Sequence, residues 1–254
     1  LQLNNPKITA LAITFNEAPH MAGFLERMDF ADEIIIVDSF STDNTVAIAE
    51  RFPKVKLIQR PFDDFSSQKN FAIEQASNDW ITFFDPDEEV TPELAEEIRN
   101  AVSSSEADAY AVRRQLYFMG KKIRFSGFQT DWVIRLFKKD SARYNGNLVH
   151  ETLEIDGHTG RFKTRMPHHT YRDLDDYTGK LHRYAELQAR TLYEKKVRPN
   201  IWHFLFRPFY RFWHQYLIRL GILDGKEGFI LAYINAFSVF KRYTHLWLLY
   251  RKIR

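Results

Sequence analysis

Asp85 and Asp87 stand two residues apart at the end of a short apolar run, in the stretch Trp80-Ile81-Thr82-Phe83-Phe84-Asp85-Pro86-Asp87-Glu88-Glu89. In extended backbone, side chains two apart project to the same side. Two convergent carboxylates are hard oxygen ligands suited to Mg2+ or Mn2+, and such a cation can in turn hold a diphosphate. The same residues also read as a solvated acidic turn, with Thr91-Pro92 opening the next helix. The choice between the two depends on what else the chain brings to that strand end. In an open α/β sheet, the carboxyl ends of the strands are where ligands bind.

Asp38 closes a second apolar run, residues 33–37. A carboxylate there can accept the N–H of a nucleobase, or it can cap the helix that starts near Asp43. Gln68-Lys69-Asn70 lie early on a third helical segment. Lys69 suits a phosphate or a ribose, and equally a plain surface position. The turn after the first apolar run is Thr14-Phe15-Asn16-Glu17, which contains no glycine, and no P-loop motif occurs. A glycine-rich dinucleotide fingerprint and a backbone phosphate cradle are therefore both excluded. A metal held by Asp85 and Asp87 is the natural substitute.

The elements that must position these groups follow from periodicity. Residues 8–14, 33–37, 55–58 and 80–84 are short apolar runs of strand length. Between them, Met21 to Met28, then Val46, Ile48, Ala49 and Phe52, then Phe71, Ala72 and Ala76 give helical faces. Alternating strand and helix within about 85 residues predicts a mostly parallel sheet with crossover helices. After Ser105 the pattern changes to short strands at 109–114, 133–137 and 160–165, joined by glycine-containing loops. From Asp175 to Lys195 the chain reads as helix, and helical segments are expected again at 202–220 and 229–240.

The composition sets further bounds. The 254 residues contain no cysteine, which excludes disulfides and thiolate metal sites. The net charge is +3, but acidic residues gather around 85–97 while the C-terminal stretch is basic and aromatic. Residues 1–7 do not read as a signal peptide. No run reaches the roughly 20 apolar residues needed to span a bilayer.

Taken together, Thr14-Phe15-Asn16-Glu17, Val37-Asp38-Ser39-x-Ser41-x-Asp43-x-Thr45, Gln68-Lys69-Asn70 and Phe84-Asp85-Pro86-Asp87-Glu88 resemble family 2 of the nucleotide-sugar-dependent glycosyltransferases. Asp131-Trp132-Val133-Ile134-Arg135-Leu136-Phe137, then Gly146-Asn147-Leu148-Val149-His150-Glu151, and the Gly221 to Gly228 stretch resemble the branch that builds lipopolysaccharide core sugars. Pro86 departs from the small residue commoner in that branch and should stiffen the turn. The resemblance implies the GT-A fold, an α/β Rossmann-like sheet flanked by helices, here with a C-terminal helical amphipathic extension. It implies a nucleotide-binding half at 1–105 and an acceptor half at 106–172, followed by a helical region at 173–254.

The implied roles go residue by residue. Asp38 would recognise the base, uracil being the expected one. Thr14, Asn16 and Glu17 would line the nucleotide pocket, with Gln68, Lys69 and Asn70 beside it. Asp85 would touch the ribose or the metal, and Asp87 would ligate the metal, Mg2+ or Mn2+, with His150 as a further candidate ligand. Direct displacement with inversion needs a general base on the acceptor hydroxyl; Glu151 is the first candidate and Asp131 the second. His168 and His169 are assigned no chemistry. The expected donor is a UDP-sugar, and the expected acceptor a lipid-linked glycan, plausibly lipopolysaccharide core. A polyprenyl-phosphate glycosyltransferase is the alternative enzyme, and a non-catalytic nucleotide-binding scaffold the alternative of another class.

Within residues 202–220, Leu205, Phe206, Phe209, Phe212, Trp213, Tyr216, Leu217 and Leu220 fall on one arc, with Arg207, Arg211, His214 and Gln215 opposite. Such a face either packs as core or lies in a membrane interface. Its repetition toward the C-terminus favours an anionic membrane surface as partner, and so a cytoplasmic protein held peripherally at the inner face of the cytoplasmic membrane. No nucleic-acid fold signature accompanies it, so nucleic acid is not an expected partner.

Overall fold

The computed structural model describes residues 6–146, 152–168 and 173–253. Its first half alternates as expected: β1 (Ile8–Thr14), α1 (Ala18–Arg27), β2 (Glu33–Asp38), α2 (Thr45–Ala49), β3 (Val55–Gln59), α3 (Phe65–Gln75), β4 (Trp80–Phe83) and α4 (Pro92–Ser104). The strands β3, β2, β1 and β4 lie side by side in that order, all parallel. There follow β5 (Ala109–Phe118), β6 (Lys121–Lys122), β7 (Trp132–Lys138), β8 (Ala142–Tyr144), β9 (Leu153–Ile155) and β10 (Thr159–His168). Of these, β7 pairs antiparallel with β4, β5 antiparallel with β7, and β10 lies beyond β5. The β8–β9 pair forms a separate hairpin.

The inner parallel strands β1, β2 and β4 are largely apolar and buried because both faces of the sheet are covered there, whereas the edge strand β3 is only partly buried. Successive side chains point to opposite faces, so each strand feeds two cores. On one face Ile8, Ala10, Ile34 and Ile36 pack with Met21 and Phe24 of α1 and Leu94 and Ile98 of α4. On the other, Leu11, Ile35, Val37, Ile81 and Phe83 pack with Ala72 and Ile73 of α3.

The chain divides into two compact units. The sheet unit comprises residues 1–114 and Trp132–His168; the second comprises Gln115–Asp131 and His169–Arg254. Thus residues 115–131 group with the helices rather than with the segment 106–172 that surrounds them in sequence. The reason is visible inside the second unit. Asp224 is buried, and its carboxylate accepts the backbone N–H groups of Arg124 and Phe125 and the Ser126 hydroxyl, at 2.8, 3.1 and 2.7 Å.

The helices of that unit are α5 (Leu174–Glu194), α6 (Ile201–Trp213) and α7 (Lys226–Arg251). The helix expected at 229–240 is part of a longer one that continues to Arg251, since no proline or glycine interrupts it after Gly228. Conversely, the helix expected over 202–220 stops at Trp213 and continues as a π-helical turn, His214–Ile218. A β-carbon on Gly228 would lie 1.9 Å from the Gly221 carbonyl oxygen, so the backbones touch there and only glycine fits.

Candidate active site

The strand ends bring the acidic residues together. Thr14 and Asp38 are register partners at the carboxyl ends of β1 and β2. Asp38 is fully buried. Its carboxylate accepts the hydroxyls of Thr14, at 3.1 Å, and Ser41, the Ser41 N–H at 2.9 Å, and the Gln59 amide at 3.4 Å. The N-cap residue of α2, Asn44, makes no side-chain cap bond, and the first N–H of the helix, that of Thr45, donates instead to Asp43 at 2.9 Å. Asp38 therefore organises the loop 39–41 and does not cap α2.

The loop after β1 is fastened onto that same loop. Asn16 takes a left-handed backbone, φ 57°, which asparagine tolerates better than most residues. Its side-chain oxygen accepts the Thr42 N–H at 2.8 Å, and its own N–H donates to the Ser41 hydroxyl at 2.8 Å. The Glu17 N–H donates to the Thr45 hydroxyl at 2.8 Å. With its backbone so held, the Glu17 carboxyl is pushed up, first by burial; His20 opposes, while the negative charges of Asp87, Asp43 and Asp85 add to it. Glu17 is thus close enough to feel both members of the Asp85–Asp87 pair.

The turn after β4 is anchored from beneath. Glu88 is completely buried and accepts the Arg135 guanidinium at 2.6 Å, while the same Nη2 donates to Asp85 at 2.8 Å. The other Glu88 oxygen accepts the Asp85 backbone N–H at 3.0 Å. Burial pushes the Glu88 carboxyl up, and the Arg135 charge opposes it. Burial likewise works against the Arg135 charge, but Glu88 and Asp85 outweigh it and hold the guanidinium above its ordinary value. Asp87 lies against His168 of β10, with 3.7 Å between Oδ2 and Nε2. That ring holds the Asp87 carboxyl below the usual range despite its burial. The turn is also tied to β10 directly, the Glu89 N–H donating to the Pro167 carbonyl at 3.2 Å.

The residues of α3 take positioning roles. Gln68 is fully buried; its oxygen accepts from Arg60 and its amide donates to the Ser39 hydroxyl at 3.1 Å. Asn70 engages both ends of its amide on the Tyr144 backbone, at 2.9 and 3.0 Å, and so fixes β8. The Lys69 ammonium lies 5.0 Å from the centre of the Tyr144 ring. Glu151 and His150 lie outside the described residues, as does His169. Asp131 belongs to the helical unit, where its N–H donates to the Phe128 carbonyl at 3.3 Å. Three site residues had no role assigned from sequence: Glu88, Arg135 and His168. Arg135 stood inside a quoted motif, and an arginine in the middle of an apolar strand was the available signal.

A hard divalent cation fits this donor set. Asp85 and Asp87 each keep more than a third of the side chain exposed, 39% and 37%. Among the described residues no third carboxylate or histidine joins them in a compact triad; the one such group is His182, Glu186 and His245, in the helical unit. Two carboxylates, with remaining positions left to water and substrate phosphate, is a usual arrangement for Mg2+.

Known proteins resemble this chain in sequence and in fold. A family model described as glycosyl transferase family 2 matches residues 9–162. An uncharacterized glycosyltransferase of Rickettsia felis is 30% identical over 256 residues, covering 94% of this chain and 89% of its own. The lipopolysaccharide core biosynthesis glycosyltransferase LpsC of Rhizobium meliloti is 26% identical over 251 residues, 93% of each chain. The crystal structure of S. aureus TarS 1–349 in complex with UDP matches with a TM-score of 0.51 at 13% identity, covering 97% of this chain and 91% of that one. At that identity the likeness is one of fold, the GT-A arrangement.

The buried Arg135–Glu88 pair yields a stability prediction. Arg135→Met leaves a buried carboxylate without its partner and should cost about 3–5 kcal/mol, read as a lower urea midpoint. Adding Glu88→Leu should restore most of it. An unchanged midpoint in the single variant would show that the pair contributes nothing to holding the turn.

Proposed function

Since the chain belongs to glycosyl transferase family 2 and is a nucleotide-sugar-dependent glycosyltransferase, we propose that it transfers a sugar with inversion from a UDP-sugar to a lipid-linked glycan, lipopolysaccharide core being the acceptor class. The observation that carries this reading is the gathering of Asp38, Glu17, Asp85 and Asp87 at the carboxyl ends of adjacent parallel strands, beside one another and with the last two open to solvent. The name of the R. meliloti relative supports the acceptor class.

Asp38 is the base-reading group. Three of its four donors are close, and the fourth, the Gln59 amide at 3.4 Å, is long for a hydrogen bond and is the one that an imide N–H of uracil would replace. Because the carboxylate is already oriented by Thr14 and Ser41, no rotamer freedom is lost when the base arrives. Asp85 and Asp87 face the diphosphate. A divalent cation bound to them would act as a Lewis acid, neutralising charge on the leaving diphosphate. Arg135 and His168 hold the two carboxylates in place so that they do not swing away between turnovers. Glu151 is the base that takes the proton of the acceptor hydroxyl, with Asp131 as the alternative.

The helical unit serves the acceptor's lipid. Not one of the thirteen residues of α6 is buried, although the helix contains Ile201, Trp202, Leu205, Phe206, Phe209 and Trp213. Phe206 and Phe209 are 51% and 62% exposed. Phe212 and Tyr216, expected on the same arc, instead pack against Phe229, with ring centres 5.5 and 5.7 Å away. Among the described residues no helix is long and apolar enough to cross a membrane. An apolar, basic-edged helix of this kind suits the cytoplasmic face of a membrane, lying in the plane of its interface.

Titration calorimetry with UDP in Mn2+ tests the donor site: the parent should bind, and Asp87→Ala should bind at least about tenfold more weakly. Binding indifferent to both Mn2+ and Asp87→Ala would remove the metal-diphosphate reading. Glu151→Gln should lower kcat by about 10²–10⁴-fold with UDP binding intact; full activity would point to an acceptor, such as a polyprenyl phosphate, that needs no base. For the membrane reading, Phe206→Ser with Phe209→Ser should abolish sedimentation with phosphatidylcholine–phosphatidylglycerol vesicles. Undiminished sedimentation would mean that α6 does not enter the interface.

A further inference from the structure

Within the helical unit, residues of α5, α6 and α7 line an open cavity of about 400 Å3. That is within the usual size of small-ligand pockets. Arg207 and Arg211 of α6 and Arg242 of α7 all line it, and no carboxylate does. Among the described residues none of the three guanidiniums is paired with an acid. The Arg242 Nε is buried without a hydrogen-bond partner. Burial pulls the Arg242 guanidinium down from its ordinary value; Tyr243 opposes, and the positive charges of Arg211 and Arg207 add to the fall. Three like charges lining one cavity without a counter-ion repel one another, and the partly buried Arg242 also loses hydration. An arrangement of this kind is relieved by an anion, and the planar fork of arginine fits phosphate oxygens better than any other side chain does. Tyr184, Tyr210 and Ser238 line the same cavity.

The geometry points to a binding site for the phosphate group of an anionic membrane lipid, held by Arg207, Arg211 and Arg242. This rests on the reading of α6 as an interfacial helix, because that reading decides the source of the phosphate. Residues three and four apart share a helix face. Tyr210, on the cavity wall and 63% exposed, therefore neighbours Phe206 and Trp213 of the exposed apolar face. The cavity thus opens at the edge of the surface that would lie among lipids. A second, smaller depression, lined mostly by apolar atoms of residues such as Ile234 and Phe237, shares Leu181 and Ser238 with it. An amphiphile with a phosphate head and an acyl chain matches both; a free phosphate would use only the first.

The test uses the full chain and three kinds of vesicle: phosphatidylcholine alone, phosphatidylcholine with phosphatidic acid, and phosphatidylcholine with oleate at the same zeta potential. The parent should bind phosphatidic acid vesicles about tenfold more tightly than the charge-matched oleate vesicles. Arg242→Gln should remove that preference, and so should Arg211→Gln, whose exposed position makes a folding defect an insufficient explanation. Both variants should still bind the oleate vesicles. Equal binding of the parent to both anionic vesicles would overturn the phosphate site and leave the interfacial helix standing. Binding to no vesicle would remove the interfacial helix and the lipid site together. Soluble glycerol phosphate, titrated without vesicles, supplies the remaining arm. Arginine-dependent binding of it as tight as that of the vesicles would show that the ligand is a soluble phosphate compound and overturn the lipid assignment.

Discussion

The arrangement depends first on a buried cation. Arg135 lies under the turn that follows β4 and binds Asp85 and Glu88 with a single nitrogen. Glu88 returns to the Asp85 backbone, so the turn is closed from both sides. A buried charge set of this kind is costly to assemble and costly to break. Its value is that Asp85 and Asp87 are presented at a fixed angle to solvent. A turn rich in carboxylates would otherwise splay under its own repulsion. The Arg135 backbone is held in turn: its carbonyl accepts the Thr82 hydroxyl at 2.9 Å, which locks β7 to β4.

The loops after β1 and β2 are held by another route. No glycine-rich turn follows β1, so side chains set the shape of these strand-end loops. Thr14, Asn16, Ser41, Thr42 and Thr45 do this by joining the loops after β1 and β2 through hydrogen bonds of 2.8 to 3.1 Å. Short hydroxyl and amide side chains suit the purpose because they bond backbone groups locally and lose little entropy. Gln68 and Asn70 extend the support one layer out, to Ser39 and to β8.

The helical unit is organised around a different buried acid. Asp224 collects the backbone of residues 124–126, and the close approach of Gly221 to Gly228 lets α7 begin directly beside it. Helices α5 and α7 are then packed through Ala189, Val239, Tyr243 and Leu246, whereas α6 contributes only partly buried side chains such as Phe204. Apolar residues are thus left outside that core on α6, beside three arginines that no carboxylate pairs with among the described residues.

Much of this was legible in the sequence. Asp38 and Asp85 could be found because each closes an apolar run, with Asp87 two residues beyond Asp85, and in a parallel sheet the run's end is the edge where ligands bind. Strand and helix order followed from periodicity for the same local reason. Asn16 and Gln68 stand out in the sequence as polar residues near the strand ends, but the protein groups they bond are not legible there, since a motif does not say whether an amide faces ligand or protein. Arg135 and Glu88 are 47 residues apart, and His168 lies further along the chain than either; no local pattern pairs them. Nor could the sequence show that residues 115–131 leave their neighbours for the helices, because the decision rests on Asp224, almost a hundred residues away. The sequence alone determined which residue types stand at the strand ends, because that depends on patterns a few residues long. Tertiary structure alone decided which charges meet, which carboxylates are held and which arginines are left unpaired, because burial and Coulomb interaction act through space and do not follow the order of the chain.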